Sequence, residues 1–121
     1  MTTALSALVE AIGLGFQRGT HTNWQLVSND AAGAPTLVDL GAGFPVVTGG
    51  LITLTIWCPA AGSSIWLRAV NELTCALFEQ EVTTDLPQVA TFLAPRLFLN
   101  NGATAAAVAF ESTGLYLETE F

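Results

Sequence analysis

The segment from Leu51 to Asn71 constrains the fold more than any other part of the chain. From Leu51 to Cys58 the side chains alternate. Ile52, Leu54, Ile56 and Cys58 fall on one face of an extended backbone, and Leu51, Thr53, Thr55 and Trp57 on the other. Pro59-Ala60-Ala61-Gly62-Ser63 is a chain-reversing sequence. From Ser64 to Asn71 the alternation resumes, with Ile65, Leu67 and Ala69 opposed to Trp66, Arg68 and Val70. A period of two is the strand period, so the pair predicts an antiparallel hairpin, and the charge of Arg68 marks its wetter face. Beyond Asn71-Glu72-Leu73-Thr74, a third strand from Cys75 to Val82 completes a meander.

The same punctuation recurs along the chain, with glycine or proline at intervals of roughly 10 residues between short runs of Leu, Ile, Val, Thr, Trp and Phe. Candidate strands are Leu5 to Phe16, Asn23 to Ser28, Pro35 to Asp39 and Phe44 to Val47. Towards the C-terminus come Arg96 to Asn100, Thr104 to Glu111 and Leu115 to Phe121, separated by the turn sequences Asn100-Asn101-Gly102 and Ser112-Thr113-Gly114. Ala4 to Ile12 has a helical alternative, because Leu5, Leu8 and Ile12 also recur at helical spacing. About nine short strands joined by tight turns predict an all-β fold, an antiparallel jelly-roll-like β-sandwich forming a single domain over residues 1–121.

The chain of 121 residues is 51% hydrophobic and only 11% charged. So few charges cannot cover every edge and face of such a fold, and assembly into a homotrimer would bury the surplus apolar surface. Ten acidic residues against three cationic ones give a net charge of −7, which argues against a phosphate-binding surface and so against nucleic acid as a partner. No apolar run reaches the ~18–20 residues needed to cross a bilayer, and Met1-Thr2-Thr3 lacks the basic start of a secretory signal. These features predict a soluble chain made in the cytoplasm, without membrane insertion.

The residues able to carry chemistry are few. Cys58 and Cys75 stand at opposite ends of the middle strand of the meander, about 20 Å apart at ~3.3 Å per residue, too far for a disulfide; two buried free thiols are predicted. Two cysteines and one histidine do not make a zinc signature, and Asp30-Ala31-Ala32-Gly33 lacks the alternating oxygens of a calcium loop. Neither a metal nor another cofactor is expected. His21, in Arg18-Gly19-Thr20-His21-Thr22-Asn23-Trp24, could act as a base with Asp30 or Asp39 as orienter and Ser28 as nucleophile, but no nucleophile elbow surrounds Ser28. A loop histidine holding its neighbours by hydrogen bonds is the simpler expectation. Glu79 and Glu81 share a strand face, as do Glu118 and Glu120. Such pairs could hydrolyse glycosides or merely wet the surface of a sheet. Trp57 and Trp66 lie opposite the apolar sides of their strands and, with Arg68, offer either a subunit contact or a platform on which sugar rings stack.

Several segments together resemble a β-domain that recurs in tailed-phage and prophage virion proteins, especially towards the C-termini of tail-fibre-like appendages. The residues carrying the likeness are Ile12-Gly13-Leu14-Gly15-Phe16, Gly19-Thr20-His21-Thr22-Asn23-Trp24-Gln25-Leu26 and Asn29-Asp30. In the C-terminal half they are Thr83-Thr84-Asp85-Leu86-Pro87, Phe92-Leu93-Ala94-Pro95-Arg96, Asn100-Asn101-Gly102-Ala103-Thr104-Ala105 and Gly114-Leu115-Tyr116-Leu117-Glu118-Thr119. In such proteins the domain usually extends further at its N-terminus. The resemblance implies a virion-located, often trimeric β-sandwich that binds host surface glycans or fastens itself to other virion proteins. Its fibre or spike form would be non-enzymatic, with contacts from Trp24, Asn29, Asp30, Trp57, Trp66 and Arg68. The alternative is a capsid decoration or cement protein using the same aromatic residues as subunit anchors. A third class is a polysaccharide depolymerase using Glu79, Glu81 or Asp30.

Overall fold

The computed structural model describes residues 5–59, 62–91, 93–98, 109 and 111–118. Their regular structure is all-β. The strands are β1 (Ala11–Gly15), β2 (Gln25–Asn29), β3 (Thr36–Asp39), β4 (Ile52–Trp57), β5 (Ile65–Asn71) and β6 (Ala76–Val82). They form two antiparallel three-stranded sheets, each in chain order, β1-β2-β3 and β4-β5-β6.

The predicted meander is present within a residue or so at each end. Its register sets Trp57 opposite Trp66, Arg68 opposite both Thr55 and Glu79, and Leu67 opposite both Ile56 and Gln80. Alternation then does the sorting. Leu67 and Ala69 are buried on the inner face, while Trp66 and Arg68 are exposed on the outer one. In the other sheet β2 is central, and all its residues are buried. Of its polar side chains, Gln25 is satisfied locally: its Nε2 donates to the Asn23 carbonyl and to Asp39 Oδ2, at 2.9 and 3.1 Å.

One core cluster joins the two sheets. Leu26, Leu40 and Phe44 contribute from the first half of the chain, and Leu67, Ala69 and Val82 from the second. Phe44 sits on the seam, with its ring edge-on to Phe78 at 6.4 Å between centroids. Beside it, the Gly43 carbonyl accepts hydrogen bonds from Asn71 Nδ2 and Thr74 Oγ1, both at 2.8 Å. A side chain at Gly43 would bring its Cβ within 2.6 Å of Ala76 Cβ, so this approach requires glycine.

Several expectations need correction. The helical option for Ala4 to Ile12 shrinks to a 3₁₀ turn at Leu5–Ala7, after which Glu10, at φ 48°, re-aims the chain into β1. Phe44 to Val47 makes a single bridge, Asn23 to Pro45, because proline has no N–H with which to extend a ladder. The described parts of Arg96 to Asn100 and Leu115 to Phe121, residues 96–98 and 115–118, are exposed and form no strand. Among the described residues no strand neighbours them, so no ladder holds them extended. Of Thr104 to Glu111, only residues 109 and 111 are described. The thiols of Cys58 and Cys75 are free, as expected, but exposed. Cys58 follows β4, beyond the core, and Cys75 occupies the β5–β6 turn at φ 57°.

Candidate functional site

The outer face of the β4-β5-β6 sheet gathers three of the six residues singled out from the sequence. Strand pairing places Trp57 and Trp66 directly opposite each other, and the next outward-facing row along the strands is Thr55, Arg68 and Glu79. Directly paired residues stand roughly 4.5–5.5 Å apart at Cβ, so the two tryptophans project from neighbouring points of one face. Both stay open, with Trp57 59% and Trp66 43% exposed. An open depression of about 160 Å³ lies among Thr55, Trp57, Trp66, Arg68 and Glu79.

The polar side of this depression is a loose ion pair. Arg68 Nε lies 3.6 Å from Glu79 Oε1, and both side chains are more than half exposed. Pairs of this kind contribute about 0–1 kcal/mol, because water screens them and ordering two long side chains costs entropy. Neither group is therefore committed to the other, and both can exchange the pairing for hydrogen bonds to a ligand. Glu81, opposite Trp66, extends the acidic margin. Two apolar ring faces beside a fork of N–H donors and a carboxylate acceptor suit a ligand with apolar C–H faces and many hydroxyls.

Asn29, at the end of β2, and Trp24 and Asp30, which flank that strand, do not join this group. Trp24 is half-buried against the core and meets Phe16 edge-on at 4.8 Å. Asn29 is fully buried, its Nδ2 donating to the Leu8 carbonyl and its Oδ1 accepting from the Ala31 amide. Its amide is spent on fixing the chain and is closed to a ligand. Asp30 turns its carboxylate back to the Ala32 amide at 2.7 Å.

Other polar residues serve the scaffold too. His21 Nδ1 accepts from the Gln17 amide at 3.1 Å, which matches the loop-holding role expected of it. Ser28 is fully buried, and its Oγ has no hydrogen-bond partner among the described residues. Asp85, which sequence reasoning did not single out, clamps the β2–β3 connection. Its two carboxylate oxygens accept the amides of Asp30 and Thr36, at 3.0 and 2.7 Å. Burial pushes the Asp85 carboxyl up, but these hydrogen bonds outweigh it and hold the group below its ordinary value of 3.8. Asp39 is held low as well, first by the Gln25 side chain, then by the Gly41 amide and Asn23.

Among the described residues, no three His, Cys, Asp or Glu side chains converge as metal ligands would. No described helix is long and apolar enough to cross a membrane. Glu79 and Thr55 were legible only in part, since alternation puts each on an outer face but only the register brings them beside Arg68. Compared with protein-family models, with curated proteins and with solved structures, the chain finds no match.

Proposed function

We propose that the chain is a non-enzymatic structural protein of a tailed-phage virion, a fibre- or spike-type appendage domain that contributes to attachment by binding host surface glycans. In this reading residues 1–121 form one jelly-roll-like sandwich domain, assembled as a homotrimer beside other virion proteins. The virion assignment rests on the sequence resemblance. The binding role rests on one observation: Trp57 and Trp66 are paired across β4 and β5 with their rings open to solvent, next to Arg68 and Glu79. Stacking on the rings gives affinity, and hydrogen bonds from the guanidinium and carboxylate to hydroxyls give orientation.

A decoration or cement role draws on the same residues, since tryptophan and arginine are also the favoured anchors of protein interfaces. Truncation separates the two. In the attachment reading, Trp57→Ala with Trp66→Ala leaves the solution mass of the dilute protein, measured by light scattering, unchanged and reduces host adsorption of virions carrying it. In the cement reading, the same change dissociates the assembly.

A further inference from the structure

β4 is a sheet edge of unusual character. Among the described residues it pairs with β5 alone, and it carries no charge, no proline and no glycine. The remaining edges are guarded. β6 bears Glu79 and Glu81, β3 follows Pro35 and ends in Asp39, and β1 is half-buried. Leu54 and Ile56 lie on the core side of their sheet and are nonetheless 39% and 40% exposed, so among the described residues nothing covers the apolar layer where it reaches the outer edge of β4.

The sequence of this edge indicates what covers it. Ile52-Thr53-Leu54-Thr55-Ile56 reads identically in both directions, and the next residues outward, Leu51 and Trp57, are both apolar. Antiparallel pairing of β4 with itself, about a two-fold axis through Leu54, therefore sets Ile52 against Ile56, Thr53 against Thr55, and Leu54 against Leu54 of the second copy. Each residue meets its own kind on its own face, which is the self-complementarity a two-fold contact demands. Charge points to the same edge. Two copies at −7 each repel, so contact is least opposed at a strand with no ionised residue of its own. The Glu72 carboxylate, from the chain following β5, accepts the Thr53 hydroxyl at 2.6 Å.

We infer that β4 is a homotypic docking edge, through which two copies of this chain join their β4-β5-β6 sheets into one continuous antiparallel sheet. The contact goes beyond the attachment reading and does not depend on it. A standard interface buries roughly 1,600 Å² in total, more than one strand edge supplies, so association through β4 is reversible. Cross-linking is accordingly the direct readout.

In a Cys58→Ser, Cys75→Ser background, Leu54→Cys places two thiols at directly opposed positions, with Cα atoms ~4.5–5.5 Å apart, within disulfide range. Mild oxidation is expected to give a covalent dimer. Thr53→Cys and Thr55→Cys, both exposed in a single copy, should cross-link when mixed and scarcely at all alone. Leu77→Cys, on the outer face of β6, should remain unlinked. Lysine at both Thr53 and Thr55 should abolish the concentration-dependent rise in mass seen by sedimentation. It does so although it lowers the overall repulsion between copies, so the loss reports the edge itself. A folded Leu54→Cys chain that stays unlinked, threonine variants that link to themselves as readily as to each other, or lysine variants that associate like the unmodified chain would each overturn the inference.

Discussion

At the scale of single residues, the division of labour among polar groups follows from exposure more than from residue type. Asn29 and Arg68 look equally suited to binding in the sequence. The first is buried against the Leu8 carbonyl, while the second makes a loose ion pair with Glu79 on an open face. A loop-edge asparagine that binds and one that fixes a backbone turn have the same sequence signature, so that distinction was not legible. The exposed thiols have a similar origin, since alternation assigns a face to a residue but not the distance to which the core extends along it. Asp85 provides the sharpest test at this scale. Its folded pKa lies below its unfolded one, so on acidification the unfolded chain takes up the proton first. The stability it contributes is complete above the unfolded pKa and is lost as pH falls through the folded one. Asp85→Asn keeps the shape but offers one acceptor where two amides donate, and it should destabilise the fold by about 1–3 kcal/mol at neutral pH. Thermal unfolding followed below about pH 4 should show a shallower acid loss in the variant than in the parent chain. Equal acid slopes would show that the clamp does not contribute.

At the scale of elements, the β4-β5-β6 meander was largely readable because each strand alternates cleanly and a turn sequence separates the first two. The N-terminal third was harder. Ala4 to Ile12 satisfies both periods, and the outcome was decided by a reversal at Glu10 and by pairing with β2, neither of which leaves a local trace. β2 gave a further surprise, for a strand that keeps Gln25, Ser28 and Asn29 buried does not read as central from its polarity. The faces of β5 make opposite predictions. Leu67→Ala empties a site that is 1% exposed, at the centre of the joint core, and should cost about 2–5 kcal/mol in urea unfolding. Trp66→Ala removes only an exposed cross-strand contact and should cost about 1 kcal/mol or less. Similar losses at the two positions would mean that the outer face is packed in the folded protein and closed to ligands.

At the scale of the whole molecule, two small sheets share one cluster through Phe44 and the tight approach at Gly43, leaving a sheet face and a sheet edge that no other described residues cover. The apolar composition announced such a surplus, but where it lies emerged only from the register. The uncovered edge is the β4 palindrome, and the uncovered face holds the paired tryptophans. Leu54 lies on the core face of the sheet and Trp66 on its outer face, so the Leu54→Cys cross-link and the loss of the Trp66 ring report on copy-to-copy pairing and ligand binding separately. The most direct test is retention of the full chain on a glycan array beside its Trp57→Ala, Trp66→Ala variant at matched, verified fold. The unmodified chain is predicted to bind a restricted set of saccharides, and the variant to lose at least tenfold in affinity, about 1.4 kcal/mol. Equal retention of the two proteins, or no retention of the unmodified chain on any saccharide, would contradict it.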